Sequence, residues 1–237
     1  LLLVVCCVFA IVCSTAGAWG ATFCVDTVEE LKTALSTAAS NGADDTIRVV
    51  KGTYAGNFHF ISYEAYGVTL EGGYAGGVQA CNPSFRLLNA AASTILQTEG
   101  TGYVFELRNY GGGNIAIDGF TIRNGSTDEI AGGLTVYCST EGAAVRAGNI
   151  TITNNIIKGN YSSASGYAGG VSATSWATLS GLPGGIVTIT GNTFQDNISV
   201  SDCGGAYGWS QSTSGVSGIV TISNNTFSYN WGGNGGG

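Results

Sequence analysis

The sequence has few charged residues, and several residue types are almost missing from it. Only 10% of its 237 residues are charged, and it contains two Pro, one His and no Met. Disordered chains combine high charge with low hydrophobicity, so this shortage of charge, together with 44% hydrophobic residues, argues against disorder. A chain of this length can bury a sizeable core within one domain. Glycine is abundant instead, with 39 residues.

Basic residues are scarcer than acidic ones. There are 8 Lys and Arg against 15 Asp and Glu, which gives a formal net charge of −7. Proteins that bind nucleic acids or anionic membranes present a basic face, so we expect neither partner. The single histidine, His59, is expected to be partly buried in a strand, and no His or Cys spacing is typical of zinc. We therefore predict no metal and no cofactor.

The longest hydrophobic run, residues 1–13, is too short for a membrane-spanning helix, which needs about 20 apolar residues. Small residues follow it, and Ala16 and Ala18 form a plausible cleavage motif. Residues 1–20 are therefore predicted to be a signal peptide that is removed on export, so the mature part is not expected to insert into a membrane. Because no Met and no basic segment precede the run, we expect a truncated N terminus.

Four stretches of the sequence are copies of one another. They are IAIDGFTIRNG at 115–125, ITITNNIIKGN at 150–160, VTITGNTFQDN at 187–197 and VTISNNTFSYN at 220–230. The copies start 35, 37 and 33 residues apart, which is the spacing range of solenoids. A glycine doublet precedes each of the later copies, at 132–133, 169–170 and 204–205.

The repeat predicts a parallel β-helix over residues 46–237, with regular coils from about residue 115. Aliphatic residues and threonines alternate with a period of 2, as in strands that face a core on one side. A turn with Asn, a second short strand and a third strand opened by the glycine doublet complete each coil. Coils about 4.8 Å apart stack equal positions on each other, so Asn155, Asn192 and Asn225 are predicted to form one ladder.

The two ends of this rod are expected to differ. Thr27 and Glu30 have the spacing of a capping box, and helical apolar spacing follows. Residues 21–45 are therefore predicted to cap the N-terminal end, with a helix at about 28–39. The chain stops where the next coil is due, so we expect a C-terminal truncation and, as its artefact, self-association through the open last coil.

Four cysteines remain after the predicted signal peptide, and an even number in an exported protein permits disulfides. Cys24 with Cys81 is the favoured pair, because both lie in the irregular N-terminal part. Cys138 and Cys203 occupy different repeat positions and are poorly placed to meet.

Three N-terminal motifs carry a family resemblance: ATFCV at 21–25, DTIRVVKGTY at 45–54 and GGY at 72–74, ahead of Cys81. With the repeat, they resemble bacterial secreted right-handed parallel β-helix proteins of the pectate-lyase-like superfold, including large surface proteins with a C-terminal anchor or sorting domain. The resemblance implies an all-β, right-handed parallel β-helix, secreted or on the bacterial cell surface. It leaves the activity open, because this superfold hosts lyases, hydrolases, adhesins and inert stalks.

About ten extra residues occur at the same place in every regular coil, at 139–148, 176–185 and 210–218. Loops from one corner form a ridge, which is where solenoids often carry recognition. Aromatic surface on these coils comes from Tyr161, Tyr167, Trp176, Tyr207, Trp209 and Trp231. Among them, Tyr167, Trp176 and Trp209 are the candidate ligand-binding residues. The favoured function is a non-catalytic adhesive rod that binds extracellular polysaccharide or a surface protein.

The main alternative is a polysaccharide lyase or glycoside hydrolase whose site lies partly outside this fragment. Such enzymes need converging carboxylates, but Asp118 is replaced by Thr or Ser in the later copies and is expected to stand alone. Arg123 and Lys158 stack as an outward basic pair near Asp196, a candidate contact for an acidic sugar, although solvated strand residues are the favoured interpretation. We assign no catalytic residue.

Ice binding is a minor alternative. The Thr-x-Thr and Thr-x-Ser motifs of the last three copies place hydroxyls about 6.6 Å apart along strands and about 4.8 Å apart between them. Threonine also suits any exposed strand, which weakens this interpretation.

Overall fold

Parallel β-sheets account for most of the structure. The computed structural model describes residues 20–87, 90–141, 146–163 and 167–236. Within them lie one α-helix, 22 strands numbered β1–β22 in chain order, and 3₁₀-helices at Gly77–Gln79, Pro83–Phe85 and Ala90–Ala92. The predicted signal peptide lies outside the described residues except for Gly20.

The strands form four sheets, called first to fourth in the order in which the chain visits them from β8 onward. The first sheet contains β1 Thr22–Val25, β2 Asp45–Val50, β5 Val68–Tyr74, β8 Ile115–Asp118, β12 Ile150–Thr153, β16 Val187–Thr190 and β20 Val220–Ser223. The second contains β3 Gly52–Ala55, β6 Thr94–Gln97, β9 Thr121–Arg123, β13 Ile156–Lys158, β17 Thr193–Gln195 and β21 Thr226–Ser228. The third contains β10 Ser126–Thr127, β14 Tyr161–Ser162, β18 Ile198–Ser199 and β22 Trp231–Gly232. The fourth contains β4 Phe58–Ser62, β7 Phe105–Asn109, β11 Leu134–Ser139, β15 Val171–Ala177 and β19 Ala206–Ser212.

From β8 onward, the chain visits the sheets in a fixed order: first, second, third and fourth. Each repeat adds one parallel strand to each sheet it reaches, in the register that the sequence copies predicted. The sequence predicted three strands per repeat, whereas the structure has four. The difference arises at Tyr161 and its equivalents, where the two residues after the second asparagine turn pair with the repeats on either side.

The alternating aliphatics of the repeats form the core. Ile152 and Ile189 are Cα partners on neighbouring strands of the first sheet and are fully buried. Ile157 and Phe194 are likewise Cα partners, on neighbouring strands of the second sheet, and are fully buried. In the last repeat the equivalent of Phe194, Phe227, is 39% exposed, because no strand of the described residues pairs beyond β21. Self-association through this end stays a prediction.

The single α-helix of the described residues, α1, runs over Val28–Ala38, with Ala39 as its C-cap. The Oγ1 of its N-cap, Thr27, accepts a hydrogen bond from the Glu30 N–H at 3.2 Å. Glu30 Oε2 accepts from the N–H of Asp26 rather than that of Thr27, which differs from the predicted capping box by one residue. This bond to Asp26 is the main cause that lowers the pKa of Glu30. Leu31 and Leu35 are fully buried in the same core as the strands.

The predicted asparagine ladder is present at the corner between the first and second sheets. The backbone N–H and side-chain amide of Asn155 both donate to Asn192 Oδ1, at 2.9 and 3.1 Å. Asn192 donates in the same way to Asn225 Oδ1, at 2.8 and 3.0 Å. Each amide also donates to a backbone carbonyl of the preceding repeat, so the buried polar groups are paired.

A second ladder, formed by Asn160, Asn197 and Asn230, repeats these contacts at the next corner. The sequence marked these residues as a repeat position but did not predict their ladder. Glycine doublets stack beside it. A Cβ on Gly133 would lie 2.4 Å from the carbonyl oxygen of Gly170, so the close approach of the chains requires glycine.

Tyr229 precedes the last ladder residue with φ of 54°, in the left-handed region, and is 84% exposed. A left-handed conformation costs a non-glycine residue about 1–2 kcal/mol. We expect Tyr229→Gly to raise the free energy of unfolding by about 1 kcal/mol in urea denaturation, because the lost side chain packs little. Gly159, with φ of 61°, is the equivalent residue two repeats earlier, and Gly159→Tyr is expected to lower stability. No change in either variant would contradict this account.

Cys24 and Cys81, the pair that the sequence favoured, form a disulfide with their Cα atoms 5.5 Å apart. Cys138 and Cys203 are free, as expected from their repeat positions. Burial raises the pKa of the Cys138 thiol, which is fully enclosed. Burial also raises the pKa of Cys203, and the carboxylate of Asp202 adds to this.

The two free thiols are therefore expected to react differently with iodoacetamide. Because the thiolate is the reactive form, the half-buried Cys203 should be alkylated slowly at neutral pH and faster as the pH rises. Cys138 should react only after unfolding in denaturant. Peptide mass spectrometry measures both sites, and alkylation of Cys138 in the native chain would contradict its enclosure.

Candidate functional site

Two of the predicted binding residues lie on the second sheet, and a third, Asp196, directly follows its strand β17. Arg123 and Lys158 are Cα partners on β9 and β13, as the stacked basic pair predicted. The Nε of Arg123 donates to Gln97 Oε1 at 2.9 Å, and exposed Asp196 accepts from Gln195 at 3.0 Å. The arrangement is an outer strand face with polar contacts between neighbours.

Asp118 does not stand alone, contrary to the sequence interpretation. It is the Cα partner of Glu71 on β5, and the Arg86 guanidinium lies between the two carboxylates. Arg86 Nη2 bonds the Asp118 carboxylate and donates to its carbonyl oxygen at 3.1 Å, while Nη1 lies 3.8 Å from Glu71 Oε1. The copies could not reveal this pair, because Glu71 belongs to an irregular repeat that precedes them.

The lone pairs of these carboxylates are occupied. Asp118 Oδ1 accepts from the Thr153 hydroxyl and the Asn154 amide, both at 2.7 Å. Glu71 accepts from the Tyr74 hydroxyl and from Arg48 Nε at 3.4 Å. Burial raises the pKa of Tyr74 to about 12, and the hydrogen bond to Glu71 and its negative charge add to this. The pair thus fastens the segment before Arg86 to the first sheet, beside a cleft of about 740 Å³, and offers no free carboxyl for acid–base chemistry.

The outer face of the fourth sheet carries aromatic side chains on three neighbouring strands and one preceding segment. This aromatic face consists of Tyr137, Tyr167, Trp176, Tyr207 and Trp209. The strand alternation explains it, since Val136 and Cys138 on either side of Tyr137 are buried, as is Ser210 next to Trp209.

Strand register fixes the spacing of these rings. Tyr137, Thr174 and Trp209 are Cα partners in one row across β11, β15 and β19. Tyr137 and Trp209 are therefore about 9.6 Å apart at Cα, two strand spacings, with the small Thr174 between them. Trp176 lies two residues beyond Thr174 on the same face. Trp176 and Trp209 are 37% and 40% exposed, so their rings remain available to a ligand.

A cleft of about 310 Å³ opens on this face. Its lining includes all three aromatics that the sequence had singled out, Tyr167, Trp176 and Trp209. The sequence placed Trp176 at the start of a corner loop, whereas it lies within β15, because this strand extends to Ala177. The cleft therefore lies on a sheet face beside the loops and not on the loop ridge.

The loops at 178–186 and 213–219 do run side by side, as expected for insertions at one corner. The hydroxyls of Ser180 and Ser214 are 2.6 Å apart, and the Gly184 N–H donates to the Val216 carbonyl at 3.0 Å. The first predicted loop, 139–148, lies partly outside the described residues.

Sequence reasoning missed a polar cluster next to the aromatic face. Arg108 Nε and Nη2 both lie 2.6 Å from Glu106 Oε1. Glu106 Oε2 is 3.4 Å from His59 Nδ1, which lies 2.9 Å from the Tyr103 hydroxyl. His59 lies on β4, as predicted, with its side chain 48% exposed. The alternation of Phe105 and Leu107 signalled that Glu106 and Arg108 point outward.

The threonine rows of the first sheet are in register. Thr151, Thr188 and Thr221 are partners across three strands, and the second row ends on Ser223. The rows stop at Ala116 and Asp118, so the regular hydroxyl array is limited to three strands.

No helix in the described residues has the length and apolar character needed to cross a membrane. Within the same residues, no group of three or more His, Cys, Asp or Glu is placed to hold a metal ion. Comparison of the chain with protein-family models, with curated proteins and with solved structures gave no match.

Proposed function

We propose that this chain is a secreted or cell-surface rod, a right-handed parallel β-helix of the pectate-lyase-like kind, that binds polysaccharide without cleaving it. The repeated passage through four parallel sheets supports the architecture, and parallel crossovers are right-handed in nearly all proteins. The disulfide and the acidic, weakly charged composition support an extracellular location.

The aromatic cleft is the observation that carries the proposed binding. Sugar rings present apolar C–H faces and polar edges, and they pack their faces on aromatic rings. Exposed Trp176 and Trp209, with Tyr137 and Tyr167, supply such rings around one concave site. Concave sites with aromatic walls and a few polar groups are typical of ligand binding.

Polysaccharide cleavage is the alternative, and ice binding by the threonine rows is a minor one. The carboxylates of Glu71, Glu106 and Asp118 are all held by arginines. Acid–base catalysis requires a carboxyl that can exchange a proton with the substrate, so these three residues favour binding over catalysis.

The test compares retention of the chain in gels that contain soluble polysaccharides. Replacing both Trp176 and Trp209 by Ala is expected to weaken binding at least tenfold, because each loses a stacking surface. Trp231→Ala is the matched control, since Trp231 is 56% exposed but lies on the third sheet. We expect it to bind like the unaltered chain.

Other outcomes identify the alternatives. Equal retention of all three proteins would contradict the aromatic cleft as the site. New reducing ends or unsaturated products would establish cleavage, and thermal hysteresis lost in Thr188→Ala would establish ice binding. If the chain binds a surface protein and none of the polysaccharides, its ligand is a protein and the proposed polysaccharide binding is wrong.

A further inference from the structure

The cleft has one cationic side chain in its lining, Arg108, and that charge is already paired. Two nitrogens of its guanidinium contact the same oxygen of Glu106, and Nη1 donates to the Tyr110 hydroxyl at 3.4 Å. Glu106 is only 8% exposed, so solvent does not compete strongly for this pair. An incoming anion would have to displace a buried carboxylate to reach the guanidinium.

Two carboxylates without an arginine or lysine partner lie close in sequence to residues of the aromatic face. Glu141 follows the end of β11 by two residues, and Asp202 precedes Cys203, whose N–H donates to the Tyr167 carbonyl at 3.1 Å. Burial raises the pKa of Tyr137, and the Glu141 carboxylate adds to this. Burial raises the pKa of Tyr207 to about 12, with contributions from Tyr167 and Asp202. Neither Glu141 nor Asp202 forms an ion pair within the described part of the chain. Unpaired negative charge next to the aromatic face disfavours the approach of anions.

The remaining polar groups of the cleft are neutral. Besides the polar atoms of the aromatic side chains, they are the hydroxyls of Thr135, Ser172 and Thr174 and the amide of Gln211. No hydrogen bond of these side chains occurs among residues 20–87, 90–141, 146–163 and 167–236. Hydroxyl and amide groups both donate and accept, which suits the hydroxyls of a sugar. Recognition of a carboxylate or sulfate instead favours charged donors.

We infer that the cleft selects uncharged polysaccharides and rejects uronic-acid or sulfated ones, an inference that rests on the proposed polysaccharide binding. One neutral pyranose ring enters between Tyr137 and Trp209, above Thr174. Its face stacks on an aromatic wall, and its hydroxyls meet the neutral groups at the floor. The basic pair Arg123 and Lys158, on the second sheet, takes no part.

The experiment uses matched polymers that differ only in charge. Soluble cello-oligosaccharides, laminarin and galactan are each compared with a derivative whose C6 alcohols are oxidised to carboxylates. We expect at least one neutral polymer to bind at least tenfold more tightly than its oxidised form in titration calorimetry. Raised salt should leave the affinity for the neutral polymer unchanged. It should reduce the difference in affinity between the neutral and the oxidised polymer, because it screens the repulsion between the protein's carboxylates and those of the oxidised polymer.

Two sets of variants extend the test. Glu106→Gln releases Arg108 and is expected to raise affinity for the oxidised polymer about tenfold, with neutral binding unchanged. Because Glu106 is buried, circular dichroism must first establish that this variant folds. The surface double variant Glu141→Gln, Asp202→Asn is expected to give a smaller, roughly threefold gain for the oxidised polymer.

The outcomes separate the two proposals. Tighter binding of the oxidised polymer by the unaltered chain, or no gain in either variant set, would overturn the selectivity and leave polysaccharide binding intact. Binding of no polymer, neutral or oxidised, would overturn the proposed function itself.

Discussion

Replacing Asn192 by Ala is expected to lower the free energy of unfolding by about 4 kcal/mol. Asn192 is 1% exposed and occupies the middle of the first ladder. Its Oδ1 accepts both donors of Asn155, and its amide donates to the Ile152 carbonyl at 2.9 Å. The substitution removes the partners described here for the Asn155 backbone N–H and the Ile152 carbonyl, and it leaves the Asn155 side-chain amide with the Ile117 carbonyl as its acceptor. Each unpaired buried group costs about 1–3 kcal/mol.

Urea denaturation measures the loss, and two variants serve as references. Thr188→Ala, on the outer face of the adjoining strand, is expected to change stability by no more than about 0.5 kcal/mol. Asn197→Ala removes the same contacts from the second ladder and should resemble Asn192→Ala. A loss below about 1 kcal/mol in both asparagine variants would show that the ladders are not a main source of stability.

The regular part of the fold was predictable because its repeats carry one pattern. The spacing of Ile152, Ile189 and Ile222 gave the strand register, and the position of Asn192 gave the ladder. The third sheet escaped prediction because two-residue strands such as Tyr161–Ser162 are too short to show a periodic pattern. They form through backbone contacts between repeats, which side-chain type does not encode.

The early repeats were less predictable, because they share little sequence with the later ones. Glu71 and Asp118 are neighbours only through the register of β5 and β8, and no copy of the motif contains Glu71. The same applies to Glu106 and His59 on β7 and β4. Aromatic type alone singled out Trp176 and Trp209, but the strand register was needed to place both at one cleft.

The candidate site also shows why residue type and sequence spacing identified only some of the residues at the cleft. Arg123 and Lys158 were singled out for charge, yet neither lines the 310 Å³ cleft, whose walls include four aromatic residues. The sequence did not single out Arg108, which lines the 310 Å³ cleft. Its pairing with Glu106 depends on a two-residue offset along one strand. Such an offset carries meaning only once the outward face is known.

Loss of the Cys24–Cys81 disulfide is expected to lower the free energy of unfolding by about 4 kcal/mol. The bond spans 57 residues, so it removes much of the conformational freedom of the unfolded chain. The native state also depends on it. Cys81 belongs to the segment that carries Arg86, and Arg86 neutralises the carboxylates of Glu71 and Asp118. When that segment detaches, the two carboxylates face each other across neighbouring strands without their shared cation.

The double variant Cys24→Ser, Cys81→Ser and treatment with dithiothreitol should therefore lower the melting temperature by similar amounts. Cys203→Ser is the matched control, because Cys203 is free and only partly buried, and it should respond to dithiothreitol like the unaltered chain. Raised salt should recover part of the loss, since it screens the repulsion between Glu71 and Asp118. A reduced chain that melts at the same temperature as the oxidised one would mean that Arg86 and the strand pairing hold this segment without the covalent link.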